Sequence, residues 1–124
     1  MTPFGQKIRD LREERGITLK TMAHALGVSP AYLSALEHGR RGKPTWYLVQ
    51  RIIVFFNVIW DEAEELERLA ELSDPNVTLA TAGMNPKATE FANRLAKEIG
   101  RLDSEDLVQF LELLRKRLKA RPSS

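Results

Sequence analysis

Residues 18–39 read TLKTMAHALGVSPAYLSALEHG. Thr18 offers a hydroxyl cap to a helix in which Leu19, Met22, Ala23 and Leu26 recur on one face, and Gly27 stops it. Ser29 and Pro30 then open a second short helix with Leu33 and Leu36 inward, which ends at Gly39. Ala23 is small where the two helices have to cross, Gly27 supplies the turn, and Met22, Leu26, Val28, Leu33 and Leu36 hold the crossing together. These demands are independent, and one stretch meets them all. It reads as a helix-turn-helix whose second helix projects outward, and an α-helix fits the width of the DNA major groove.

The flanking sequence is helical on both sides. Thr2 and Pro3 start a helix with Phe4, Ile8 and Leu11 inward that stops at Gly16. After the basic loop Arg40-Arg41-Gly42-Lys43, Pro44 and Thr45 start a helix that is apolar on most sides as far as Asn57, and this predicts the buried one. Trp46, Tyr47 and Trp60 are expected in the core or at its edge. Residues 61–72 predict a fifth helix, with Leu66, Leu69 and Leu72 inward and an acidic first turn suited to its macrodipole. In 73–85 the pattern breaks around Pro75 and Gly83, and Val77-Thr78-Leu79 leans toward β; a linker and a short strand both fit. Asn85 and Pro86 begin a sixth helix with Ala88, Phe91, Leu95 and Ile99 on one stripe. Leu102 and Asp103 open a seventh that runs to about Ala120, and together they form a helical hairpin. The expected organisation is all-α: a domain over 1–72, a connection over 73–85 and the hairpin over 86–121.

Composition narrows the chemistry. A chain of 124 residues, 43% hydrophobic and 29% charged, has the size and apolar content of one soluble domain with at most an appendage. The net charge is only +2, but residues 1–57 carry +5, residues 58–76 carry −6 and residues 77–124 carry +3. The first excess gathers at Lys20, Arg40, Arg41 and Lys43, around the two short helices, as on a surface that faces phosphates. Without cysteine there is no disulfide, thiolate nucleophile or cysteine zinc site, and two histidines, His24 and His38, do not suggest a metal site. No metal or cofactor is expected. The opening MTPFGQKIRD lacks the pattern of a secretory signal, and the apolar run 52–60 is broken by Asn57 and too short to cross a bilayer. A cytoplasmic location with no membrane partner is the expectation.

With these residues in place, IRDLREERGITLKTMAHALGVSPAYLSALEHGRRGKPT and the long apolar helix after it resemble the Cro and phage-repressor-like, or XRE-type, helix-turn-helix regulators. The resemblance covers about residues 4–72. It implies a five-helix domain that binds operator DNA as a dimer, with 29–38 as the recognition helix. It also places Arg12 and Glu37 where the family has a buried ion pair between the first helix and the recognition helix, a structural role. Leu19 departs from the family, in which glutamine commonly touches a phosphate at the start of the second helix. The outward positions of the recognition helix are Ser29, Pro30, Ala31, Tyr32, Ser34 and Ala35. None is an Arg, Lys, Gln or Asn able to make a bidentate base contact, so methyl packing, serine hydroxyls and DNA shape are left to carry specificity. Lys20, His38, Arg40, Arg41 and Lys43 are the expected phosphate contacts.

The seventh helix carries a stripe of Leu107, Leu111, Leu114 and Leu118, widened by Val108, Phe110 and Leu113 beyond what one neighbouring helix covers. Its occupant is the first domain, a second copy or a different protein. Self-association is favoured because readers of this kind pair, which makes Leu107, Phe110, Leu111, Leu114 and Leu118 the expected homodimer interface. The basic tail Arg115, Lys116, Arg117, Lys119 and Arg121 suits the negative end of its helix. The reading is a sequence-specific double-stranded DNA-binding transcriptional regulator, a dimeric repressor. The rival is a DNA-binding antitoxin or interaction module whose C-terminal helices bind another protein. An enzyme is not expected, because the carboxylates of 61–71 have no Ser/His/Asp or glycine-loop partner.

Overall fold

A computed structural model describes residues 1–121. The described chain is all-helical: α1 (Pro3–Glu14), α2 (Leu19–Leu26), α3 (Pro30–Glu37), α4 (Trp46–Phe56), α5 (Trp60–Glu71), α6 (Pro86–Glu98), a single 3₁₀ turn (Ile99–Arg101) and α7 (Ser104–Lys119). No strand forms among the described residues; the β-leaning residues 77–79 have no second strand to pair with. No described helix is long and apolar enough to cross a membrane. The chain divides into two compact units, with the boundary in the sequence between Val77 and Thr78.

Side-chain caps set the helix starts in the first unit. Thr2 accepts from Gly5 N at 2.9 Å, Thr18 from Thr21 N at 3.0 Å, Ser29 from Tyr32 N at 3.0 Å and Thr45 from Leu48 N at 3.2 Å. Each satisfies one of the amides that a helix start leaves unpaired. Gly27 closes α2 at φ 73°, a left-handed turn that a side chain would oppose. Phe4, Ile8, Met22, Leu33, Ile52, Phe56 and Leu66 are fully buried, so all five helices contribute to one core. Ser73 belongs to this unit and not to a linker: its hydroxyl accepts from Phe4 N at 2.9 Å and donates to the Leu69 carbonyl at 2.6 Å, tying the end of α5 to the start of α1.

Several expectations are corrected. Trp46, Tyr47 and Trp60 are not core residues; they are 72%, 67% and 80% exposed. The core side of α4 is set by Leu48, Val49, Ile52 and Phe56, and at 100° per residue Tyr47 and Trp46 fall well off that side. Trp60 opens α5 with φ 54°, in the left-handed region, and its ring points away from the core. Leu72 is also exposed, since it is the C-cap of α5, and Ala70 is buried in its place.

In the second unit, Asn85 caps α6 and Asp103 opens α7 with a capping box, its carboxylate accepting from Asp106 N at 2.8 Å while Asp106 accepts from Asp103 N at 3.1 Å. No described residue from Thr78 onward is buried. Ala88, Ala92 and Leu95 of α6 are half-buried while Phe91 stays exposed, and the apolar side of α7 is exposed along its length.

Candidate DNA interface

Three of the six outward positions, Ser29, Pro30 and Ala31, are exposed at the N-terminal end of α3, while Tyr32, Ser34 and Ala35 are half-buried along the helix. The opposite side is locked, with Leu33, Leu36 and Glu37 buried. Ser29 spends one hydroxyl lone pair on its cap and keeps its O–H for an outside acceptor.

Two devices hold α3 against α1. The Arg12 guanidinium meets the Glu37 carboxylate at 3.4 Å, with side-chain exposures of 12% and 3%, through a single N–O contact. At the other device, a Cβ built on Gly5 would lie 2.1 Å from the Glu37 carbonyl oxygen, so the α1 and α3 backbones touch where glycine stands. Sequence reasoning missed Gly5; the only trace was a glycine inside an otherwise good helix pattern.

The cationic residues fall into separate arrangements. Arg41 lies over the Tyr32 ring, 5.2 Å from its centroid, which couples the basic loop to α3. The Arg40 amide donates to the Ala35 carbonyl at 2.8 Å, so the chain leaves α3 along a fixed path with the Arg40 side chain exposed. His38 places Nδ1 2.8 Å from the Ser34 carbonyl, to which it donates, and a contact from its ring to a phosphate requires a hydrogen on Nε2 as well. Lys20 is exposed in the first turn of α2, and Leu19 beside it is half-buried against the core. Lys43 differs. Its ammonium is 2.7 Å from Glu71, at an open groove of about 610 Å³ that is also lined by Trp46, Val49, Glu64 and Glu67 and by no residue of α3.

α3 is thus capped, locked on one side, exposed at its N-terminal end and followed by an arginine loop. A family model for the helix-turn-helix domain matches residues 3–74, the whole five-helix unit with Ser73 included. The chain belongs to the helix-turn-helix domain family. Among helix-turn-helix relatives, it is 26% identical to an uncharacterized HTH-type transcriptional regulator, RghRB of Bacillus subtilis (strain 168), over 100% of this chain and 99% of that one. It is 29% identical to the HTH-type transcriptional repressor RghR of the same strain, over 87% of this chain and 85% of the relative. The HTH-type transcriptional regulator SinR, also of that strain, is 30% identical over 52% of this chain and 61% of its own length. The first likeness runs through α6 and α7 as well as the helix-turn-helix domain.

Proposed function

We propose that this DNA-binding transcriptional regulator is a dimeric repressor in the cytoplasm that reads a two-fold duplex site with α3 in the major groove. The observation that carries the reading is α3 itself, buried on one side against the domain and uncharged, and small apart from Tyr32, on the other. Ser29, Pro30, Ala31, Tyr32, Ser34 and Ala35 face the bases, and with no bidentate reader among them the selectivity comes from thymine-methyl packing, hydroxyl contacts and the shape of the duplex. Lys20, His38, Arg40 and Arg41 hold phosphates. Lys43 joins them only by releasing Glu71, and so adds less. Pairing through Leu107, Phe110, Leu111, Leu114 and Leu118 covers the apolar side of α7 and brings two reading heads to one site, raising the effective concentration of the second. The name of RghR, a repressor similar along most of this chain, supports the sign of regulation.

Salt titration of duplex binding tests the phosphate roles. Arg40→Ala and Arg41→Ala each weaken binding to specific and random duplexes alike and lower the slope of log affinity against log salt by about 0.9 per lost contact. Lys43→Ala lowers it by less. An unchanged slope in both arginine variants contradicts the assignment.

A further inference from the structure

Leu107, Leu111, Leu114 and Leu118 are separated by four, three and four residues, a spacing that reads the same from either end. At 100° per residue the four side chains fall within an arc of about 60°, a narrow seam along the length of α7. All four are exposed, from 38% at Leu107 to 62% at Leu118. The charges on the same helix are not symmetric. From residue 103 to 112 they are Asp103, Glu105, Asp106 and Glu112, with no base; from 113 to 121 they are Arg115, Lys116, Arg117, Lys119 and Arg121, with no acid.

We infer that α7 pairs with α7 of a second copy in antiparallel register, Leu107 against the partner's Leu118 and Leu111 against the partner's Leu114; this rests on the dimer reading above. The leucine spacing tolerates a partner running either way, and the charges choose between them. A parallel pair sets acid beside acid and base beside base along its whole length and aligns the two helix dipoles. An antiparallel pair sets each acidic half beside the partner's basic half and opposes the dipoles. In that register Asp106 lies on the same flank as the partner's Arg117 and within about two residues, ~3 Å, of its height. Reversal leaves the leucine seam intact because its spacing is palindromic, so a single helix is complementary to itself about a two-fold axis.

The chain has no cysteine, so introduced thiols report alone. Leu107→Cys and Leu118→Cys are made singly in the full chain, and sedimentation of each reduced variant checks that it assembles as the parent does. Each is oxidised alone, and then the two are mixed while reduced and oxidised together. The register predicts a disulfide-linked dimer only from the mixture, carrying one chain of each kind, because like positions lie about 16 Å apart along the pair and a disulfide needs Cα atoms within about 7 Å. Covalent dimers from either variant alone, with none from the mixture beyond those, overturn the antiparallel register while leaving the dimer in place. A parent that sediments as a dimer but gives no disulfide in any reaction removes α7 from the interface and overturns the inference. A parent that sediments as a monomer at micromolar concentration overturns the dimer reading and the register with it.

Discussion

Gly5→Ala lowers the thermal stability of the helix-turn-helix domain, although helix propensity alone predicts a gain. Alanine inside a helix is favoured over glycine by about 1 kcal/mol. At this position the added methyl meets backbone: its carbon would lie 2.1 Å from the Glu37 carbonyl oxygen and 2.7 Å from the Glu37 carbonyl carbon and Cα. Backbone cannot swing aside as a side-chain end does, so α1 has to move off α3. That movement also strains the Arg12–Glu37 pair and the Thr2 amide, which donates to the Glu37 carbonyl at 3.3 Å. Overpacking of this kind costs about 1–3 kcal/mol and occasionally more. A contact this short against backbone puts the cost at the upper end of that range, so the net loss is about 2 kcal/mol, which at about 4–8 °C per kcal/mol for a domain of this size lowers the melting temperature by roughly 10 °C. A melting temperature equal to or above that of the parent contradicts the close approach of α1 and α3.

Ala35→Glu has the opposite profile: DNA binding is lost and the fold survives. Ala35 is half-buried on the outward part of α3, where a longer side chain reaches solvent while its stem lies along the helix. Alanine and glutamate are both good helix formers, so the circular-dichroism signal and melting temperature stay close to the parent. In the groove the carboxylate meets the purine N7 and carbonyl acceptors and the field of the phosphates, with no donor to satisfy it except the amino group of cytosine. Operator affinity falls by roughly two orders of magnitude or more, comparable to the loss of one or two good base contacts. Ala31→Glu, at an exposed position, is expected to do the same. Retained affinity in both variants, measured by fluorescence anisotropy on a duplex selected from random sequence, means that α3 does not enter the groove.

What the sequence disclosed and what it hid divide along one physical line. Features set by neighbours in the chain were legible: Thr2, Thr18, Ser29, Thr45 and Asp103 cap helices because a hydroxyl or carboxylate reaches an amide three residues ahead. The inward leucines of α2 and α3 followed from helical spacing. Features set by distant contacts were not. Lys43 looked like a phosphate ligand from its place in a basic loop, and its pairing with Glu71 spans 28 residues. Gly5 is required by a backbone lying over thirty residues further along, which no local pattern encodes. The apolar run of α4 concealed that Trp46 and Tyr47 lie off its buried side, because a helix apolar nearly all round gives no contrast from which to read a face. In the second unit the stripes were legible and the absence of a core was not, since a pattern shows which side wants cover and not whether a neighbour supplies it.

The central claim, that a dimer reads the duplex with α3 in the major groove, is tested most directly by methylation protection on a selected operator. Dimethyl sulfate marks guanine N7 in the major groove and adenine N3 in the minor groove, so one experiment reports on both. The predicted result is protection of guanine N7 in two clusters whose centres lie about one helical turn, ~34 Å, apart, and loss of both clusters in Ala35→Glu. Protection confined to adenine N3, with guanine N7 open throughout the bound site, would contradict the account.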